Sequence, residues 1–238
     1  MRFVNSFSTA LANPARGAAA LLAASAAFGF AAPAHAGDPA GRVQVKILGT
    51  AVLPDGAISE VERDLVPLPA GAQTEADDNF TPTAAVEYFF TPNFSIETIA
   101  GVTQHDVTGT GAIAGAALIA DANIIPATIT AKLHLPTGGG FKPYIGAGPA
   151  YFFIFGEDPD AGARALGVTR VNLSEELGFA LQAGVDIAIG GSGIGLGLDA
   201  KRYFIGTTAS FFAGDTLALQ TDHELDPWVL SAGLTYRF

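Results

Sequence analysis

The 238-residue sequence contains no cysteine, so it can build neither a disulfide framework nor a thiolate metal site. Charge is scarce as well: 15% of residues are charged and 49% are hydrophobic. Basic residues are the scarcer sign, 12 against 23 acidic ones, which argues against a nucleic-acid-binding surface. Long apolar runs are missing beyond the N-terminal stretch. The longest later run, residues 111–120, is Gly- and Ala-rich and far short of the ~20 residues that a membrane-crossing helix needs. The 29 glycines, by contrast, suit a chain of many turns and a sheet with an apolar exterior.

The N-terminal stretch has a different logic. Arg2 and Arg16 precede an almost wholly apolar segment, 18–32, and Pro33-Ala34-His35-Ala36 supplies an A-x-A cleavage pattern. Basic start, short apolar middle and small-residue end together predict a secretory signal peptide cut after Ala36. The chain therefore divides into a signal peptide, 1–36, and a single mature domain, 37–238, with ten basic and 23 acidic residues and a net charge of −13.

The other terminus sets the fold class. From Trp228 to Phe238, Trp228, Leu230, Ala232, Leu234, Tyr236 and Phe238 share one strand face, and Val229, Ser231, Gly233, Thr235 and Arg237 share the other. An apolar face ending on an aromatic residue is what a barrel strand presents to lipid. Alternating segments recur at 42–53, 80–90, 94–103, 125–135, 141–155, 176–189, 194–204 and 225–238, each near the ~9–11 residues that a tilted strand needs to cross a bilayer. Tight Gly-, Pro- and Asn-rich turns at 91–93, 136–140 and 190–193 alternate with long connections at 54–79, 104–124, 156–175 and 205–224. This predicts an all-β, eight-stranded antiparallel transmembrane barrel in the outer membrane of a Gram-negative bacterium. Short turns and both termini are expected on the periplasmic side, long loops outside.

Face assignment locates the chemistry. A charge on the lipid face at the bilayer midplane costs ~2–4 kcal/mol, so the charged register must point inward. The inward set is Arg42, Lys46, Lys132, Lys201 and Arg237 against Glu87, Glu97, Asp186 and Asp199. Five against four is nearly neutral, and the expectation is mutual pairing across a lumen just wide enough to be filled by side chains. By the same parity Leu48, Val52, Phe89, Ile99, Phe152 and Val229 also face inward, as packing or as a lining for an apolar ligand. His134 is expected inward as a hydrogen-bonded residue.

The external connections hold much of the remaining acid: Asp55, Glu60, Glu62, Asp64, Glu75, Asp77 and Asp78 in the first, Glu157, Asp158 and Asp160 in the third. They suit a solvated rim, or divalent cations bridging to lipopolysaccharide. No EF-hand-like spacing accompanies them, and no cofactor or dedicated metal site is expected.

Phe141-Lys142-Pro143-Tyr144-Ile145-Gly146-Ala147-Gly148, Leu181-Gln182-Ala183-Gly184-Val185-Asp186, Leu225-Asp226-Pro227-Trp228 and Tyr236-Arg237-Phe238 occur in order and together resemble the OmpW family of small outer-membrane barrels. Leu133-His134-Leu135-Pro136 is loosely similar. The resemblance spans nearly the whole mature chain. It implies an eight-stranded barrel with an unusually apolar lumen that binds or passes small hydrophobic molecules, releasing them sideways into the membrane. It further implies contact with outer-membrane lipid and lipopolysaccharide, and service as a bacteriocin or phage receptor. Tyr236 and Phe238 resemble the terminal signature read by the outer-membrane assembly machinery. The only tryptophan is Trp228, so a gating tryptophan elsewhere has no counterpart here.

Two other classes remain. A structural, adhesive or receptor barrel would work through its acidic loops without transport. An enzyme would need a site such as Asp77-Asp78 facing Asp222-His223, or His105-Asp106 with Ser210. Paired acids arise readily in an acidic loop, no spacing favours acyl transfer, and relatives with such protease chemistry have more strands. No enzymatic activity is expected.

Overall fold

The computed structural model describes residues 42–137 and 139–238; the expected signal peptide and its cleavage position at Ala36 lie outside the described residues. In chain order the strands are β1 (Val43–Leu53), β2 (Ala57–Asp64), β3 (Ala72–Ala76), β4 (Asn79–Thr91), β5 (Phe94–Ala100), β6 (Thr103–Gly111), β7 (Ala117–His134), β8 (Phe141–Phe155) and β9 (Asp158–Pro159). A one-turn helix, α1 (Ala161–Ala165), follows, then β10 (Arg170–Leu173), β11 (Glu176–Ala188), β12 (Ile194–Phe204), β13 (Gly206–Ala213), β14 (Thr216–Glu224) and β15 (Trp228–Arg237).

Eight of these form a closed antiparallel wall in the order β1, β4, β5, β7, β8, β11, β12, β15 and back to β1. Closure comes from ten register pairs between β1 and β15, from Gln44 opposite Arg237 to Leu53 opposite Trp228. Backbone bonds between Val43 and Phe238, 2.9 and 3.1 Å, continue it by one residue. Closure leaves no free edge in the wall, the condition for sheet inside lipid.

Period-two patterning decides which side chains meet lipid. β1 buries Gln44, Lys46, Leu48, Thr50 and Val52 and turns Ile47 outward, 65% exposed. Ile129, Ile145 and Leu234 of β7, β8 and β15 are likewise more than half exposed. No helix among the described residues is long and apolar enough to cross a membrane; the apolar belt belongs to strands.

The long connections differ from expectation: they are largely sheet. β10, β13, β14 and β2 make a second, four-stranded sheet, while β6 and β3 extend the wall beyond β7. β7 starts at Ala117, eight residues before the segment expected from residue 125. Asp121 sits within it at φ +59°, beside register shifts in the β6–β7 pairing, so the strand continues past the wall with a local bend. β15 starts at Trp228 rather than at 225, because Asp226 leaves the extended region (φ +32°) and its carboxylate accepts from the Ile205 N–H at 2.8 Å. At this end Val171, Leu173, Ile205, Phe211 and Leu225 join Ile119, Ile124 and Phe152 in one apolar cluster.

Candidate functional site

The lumen is stratified. Its lower layer, toward the short turns, is ionic. The Lys46 Nζ lies 2.9 Å from Glu87, 2.9 Å from Glu97 and 3.3 Å from Asp186. Lys132 reaches the same two glutamates at 2.8 and 2.9 Å, and Lys201 reaches Asp199 at 2.7 Å and Glu97 at 3.3 Å. Other side chains take up the remaining carboxylate oxygens. Ser95 and His134 bond Glu87 at 2.5 and 2.8 Å, and Gln182 donates to Glu97 at 2.8 Å and to Asp199 at 2.6 Å. Tyr144 donates to Asp199 at 2.7 Å while its ring lies 3.7 Å from the Lys132 Nζ. A Cβ at position 184 would strike the Tyr144 hydroxyl, so glycine in β11 makes room for this ring. Charges this buried are tolerable only with such dense mutual pairing.

Glu87, His134 and Asp186 offer ligand-type atoms within 4.8 Å of one another. Lys46 already places its ammonium against both carboxylates, so the chain itself supplies the cationic charge there.

The upper layer is apolar. Val52, Ile99, Phe152 and Val229 line a narrow chamber with a cavity volume of about 70 Å³. Ile124, Ile154, Leu173 and Leu225 continue the lining toward the second sheet. Its floor is hydroxyl-bearing: Thr50 bonds Thr83 at 2.7 Å and Ser231 at 2.9 Å, and Tyr203 bonds Thr128 at 3.2 Å. Lys201 is the next inward residue below Tyr203 on β12, so the ionic layer begins directly beneath.

Beside the chamber the wall is interrupted. β4–β5 pairing ends at Ala84 opposite Ala100, and β5–β7 pairing ends at Ile99 opposite Thr128. Pairing to β7 resumes only at Thr103 opposite Ile124, now from β6. Gly101 and Val102 lie between, both lining the chamber, and the Thr81 hydroxyl donates to the Val102 carbonyl at 2.8 Å. Pro82 and Pro126 border this seam without an N–H to offer a neighbour.

Of the nine charges assigned inward, Lys46, Lys132, Lys201, Glu87, Glu97, Asp186 and Asp199 meet in the ionic layer. Arg237 is buried nearer the turns, its guanidinium 3.6 Å from the centre of the Phe89 ring. Arg42 is a correction: it is exposed, because it precedes β1 and has no strand to aim it inward, and Gln44 is the first residue of that strand's inward row. All six apolar positions are buried, but Leu48 and Phe89 do not line the chamber. Tyr236 and Phe238 lie on the outer face with ring centroids 5.8 Å apart. Alternation alone did not single out Tyr144, Ser95 and Tyr203, although the parity that selected Lys132 and Lys201 points them inward too.

In the outer segments the two acid–histidine groupings are engaged separately. Asp77 accepts from the Asp106 N–H at 2.6 Å, and its carbonyl bonds the His105 Nδ1 at 2.6 Å. His223 bonds Thr221 at 2.7 Å and, through Nδ1, the Gly56 carbonyl and Thr74, each at 3.2 Å. Asp222 accepts from Thr208 at 2.6 Å. Burial pushes the His223 imidazole below the usual histidine range, against the opposing pull of the Gly56 carbonyl and Asp222.

The model of the OmpW family matches residues 39–238. An outer-membrane protein of Sinorhizobium fredii, y4mB, described as uncharacterized, is 31% identical over 211 residues, 87% of this chain and 85% of that protein. Outer membrane protein W of Vibrio cholerae is 30% identical over 156 residues, 63% and 70% of the two chains. The crystal structure of OprG from Pseudomonas aeruginosa superposes with a TM-score of 0.74 at 25% identity, covering 85% of this chain and 98% of that one.

Proposed function

The chain belongs to the OmpW family of outer-membrane β-barrels, and on that premise we propose that it binds small hydrophobic molecules in the apolar chamber and passes them sideways into the membrane. The observation that carries this reading is the chamber's position above a closed ionic layer. Straight passage would have to break seven lysine–carboxylate contacts of 2.7–3.3 Å. In this reading the route runs through the wall toward lipid at the seam of Gly101 and Val102, where backbone pairing is interrupted. Each methylene that leaves water for such a chamber contributes about 0.8 kcal/mol.

A Pseudomonas aeruginosa relative, 28% identical over 169 residues, is named dibenzothiophene metabolism operon protein PahQ, and a solute of that hydrophobic kind suits the lining. In this reading the second sheet stands outside the cell beside lipopolysaccharide, and the short turns and both termini face the periplasm.

Phe152→Lys tests the proposal by putting an ammonium into the chamber. The expected result is loss of hydrophobic-solute uptake in cells expressing the variant, with the barrel still folded by heat-modified gel mobility. Unchanged uptake would sink the transport reading and leave the external sheet as the working surface.

A further inference from the structure

The chamber is unequal toward charge. Among its lining residues the only titratable ones are His105 and Tyr203, so no lysine or arginine offers a counter-ion. His105 has no donor to spare: Nδ1 serves the Asp77 carbonyl at 2.6 Å and Nε2 meets the Thr103 hydroxyl at 2.9 Å. Lys201, which follows Tyr203 down the inward row of β12, is held by Asp199 and Glu97.

The rim repeats this bias. Segments 54–79, 104–124, 156–175 and 205–224 together carry 16 acidic residues and three arginines. Asp55, Asp77, Asp106, Asp121, Glu224 and Asp226 each adjoin a chamber-lining residue in the chain, and Asp106 and Glu224 turn by alternation to the solvent side of their strands. The one basic neighbour of the lining, Arg202 beside Tyr203, lies 3.5 Å from the Asp226 carboxylate.

From this we infer that the chamber is a charge filter: it accepts neutral hydrophobic molecules and ones with a cationic head, and rejects alkyl carboxylates. The inference rests on the chamber being the binding site and adds its substrate class. A carboxylate carried inside would lose its water and find no cation, an expensive burial. The negative field of the acidic outer segments also lowers its local concentration before it arrives. A neutral ester or alcohol pays neither penalty and finds the hydroxyls of Thr50 and Thr83 at the floor. An ammonium head stays among the rim carboxylates while its chain enters.

The test is a titration of the full barrel in lipid nanodiscs, read on the methyl resonances of Ile99 and Ile124. Methyl octanoate, octylamine and octanoate are compared at neutral pH. Methyl octanoate and octylamine should shift these methyls, with octanoate binding at least ~30-fold more weakly than its ester. Equal affinity for octanoate and its ester would overturn the filter while leaving the chamber as a binding site. Silence with all three probes would overturn the chamber reading itself and the filter with it. Asp55→Asn/Asp106→Asn/Glu224→Gln, all exposed positions, should tighten octanoate about threefold and leave the ester unchanged. No change in octanoate affinity would remove the rim from the mechanism.

Discussion

The two halves of the lumen are built from the same strands, the same inward parity and the same degree of burial, yet one is ionic and the other apolar. On β1, Lys46 and Val52 are both inward and buried, three inward positions apart. On β12, Lys201 and Tyr203 are successive inward residues and stand on opposite sides of the boundary. The difference teaches that alternation decides only inside against outside. Height along the barrel decides chemistry, because a charge is stable there only where residues from several strands reach the same level. Lys46, Glu87, Glu97, Lys132, Asp186, Asp199 and Lys201 come from β1, β4, β5, β7, β11 and β12 and satisfy one another at a single level.

The sharpest way to break this contrast is to make the lower layer resemble the upper one. Lys132→Met leaves Glu87 and Glu97 short of a cation in a buried site and should destabilise the barrel by about 3–5 kcal/mol. Urea unfolding in lipid vesicles measures it, and adding Glu87→Gln should recover part of the loss. A neutral effect of the single change would mean that water, not Lys132, solvates those carboxylates.

A smaller effect is expected at the boundary. Thr50 links Thr83 to Ser231, so Thr50→Val removes two buried bonds and should cost about 1–2 kcal/mol by the same assay. Because it adds apolar surface to the floor, binding of a pure hydrocarbon should hold or tighten, separating stability from function.

The smallest effect lies in the outer sheet. With its pKa lowered by burial, His223 is neutral in the fold and protonates more readily once the sheet opens. Stability from this group is therefore complete above the ordinary histidine pKa of about 6.5, and is lost as pH falls from there through the lowered value. Hydrogen exchange of β13 and β14 amides should accelerate on acidification through that window. In His223→Asn the dependence should flatten.

Much of this is legible in the sequence. The strand number, the outward ladder of Ile47, Ile129, Ile145 and Leu234, and eight of the nine inward charges follow from alternation and the cost of charge in lipid. The outer sheet is not, since its strands carry weak signals. Residues 206–213 and 216–224 are Thr- and Ala-rich hairpin arms around Gly214-Asp215, a two-residue turn with Gly214 at φ +61° that could have been recognised. β7 hid its first eight residues behind Asp121, whose left-handed backbone breaks the pattern that reveals a strand. Within the site, Phe89 and Phe152 looked alike by parity, but only Phe152 lines the chamber.

The sequence by itself determined that this chain is a closed barrel with an apolar exterior, because lipid outside and side-chain alternation along each strand are local constraints that every residue registers. Only the tertiary structure decided that the inward residues sort into an ionic floor, an apolar chamber and a seam at Gly101. Those depend on the relative heights of strands distant in sequence, and heights are set by register and bulges rather than by any one strand's pattern.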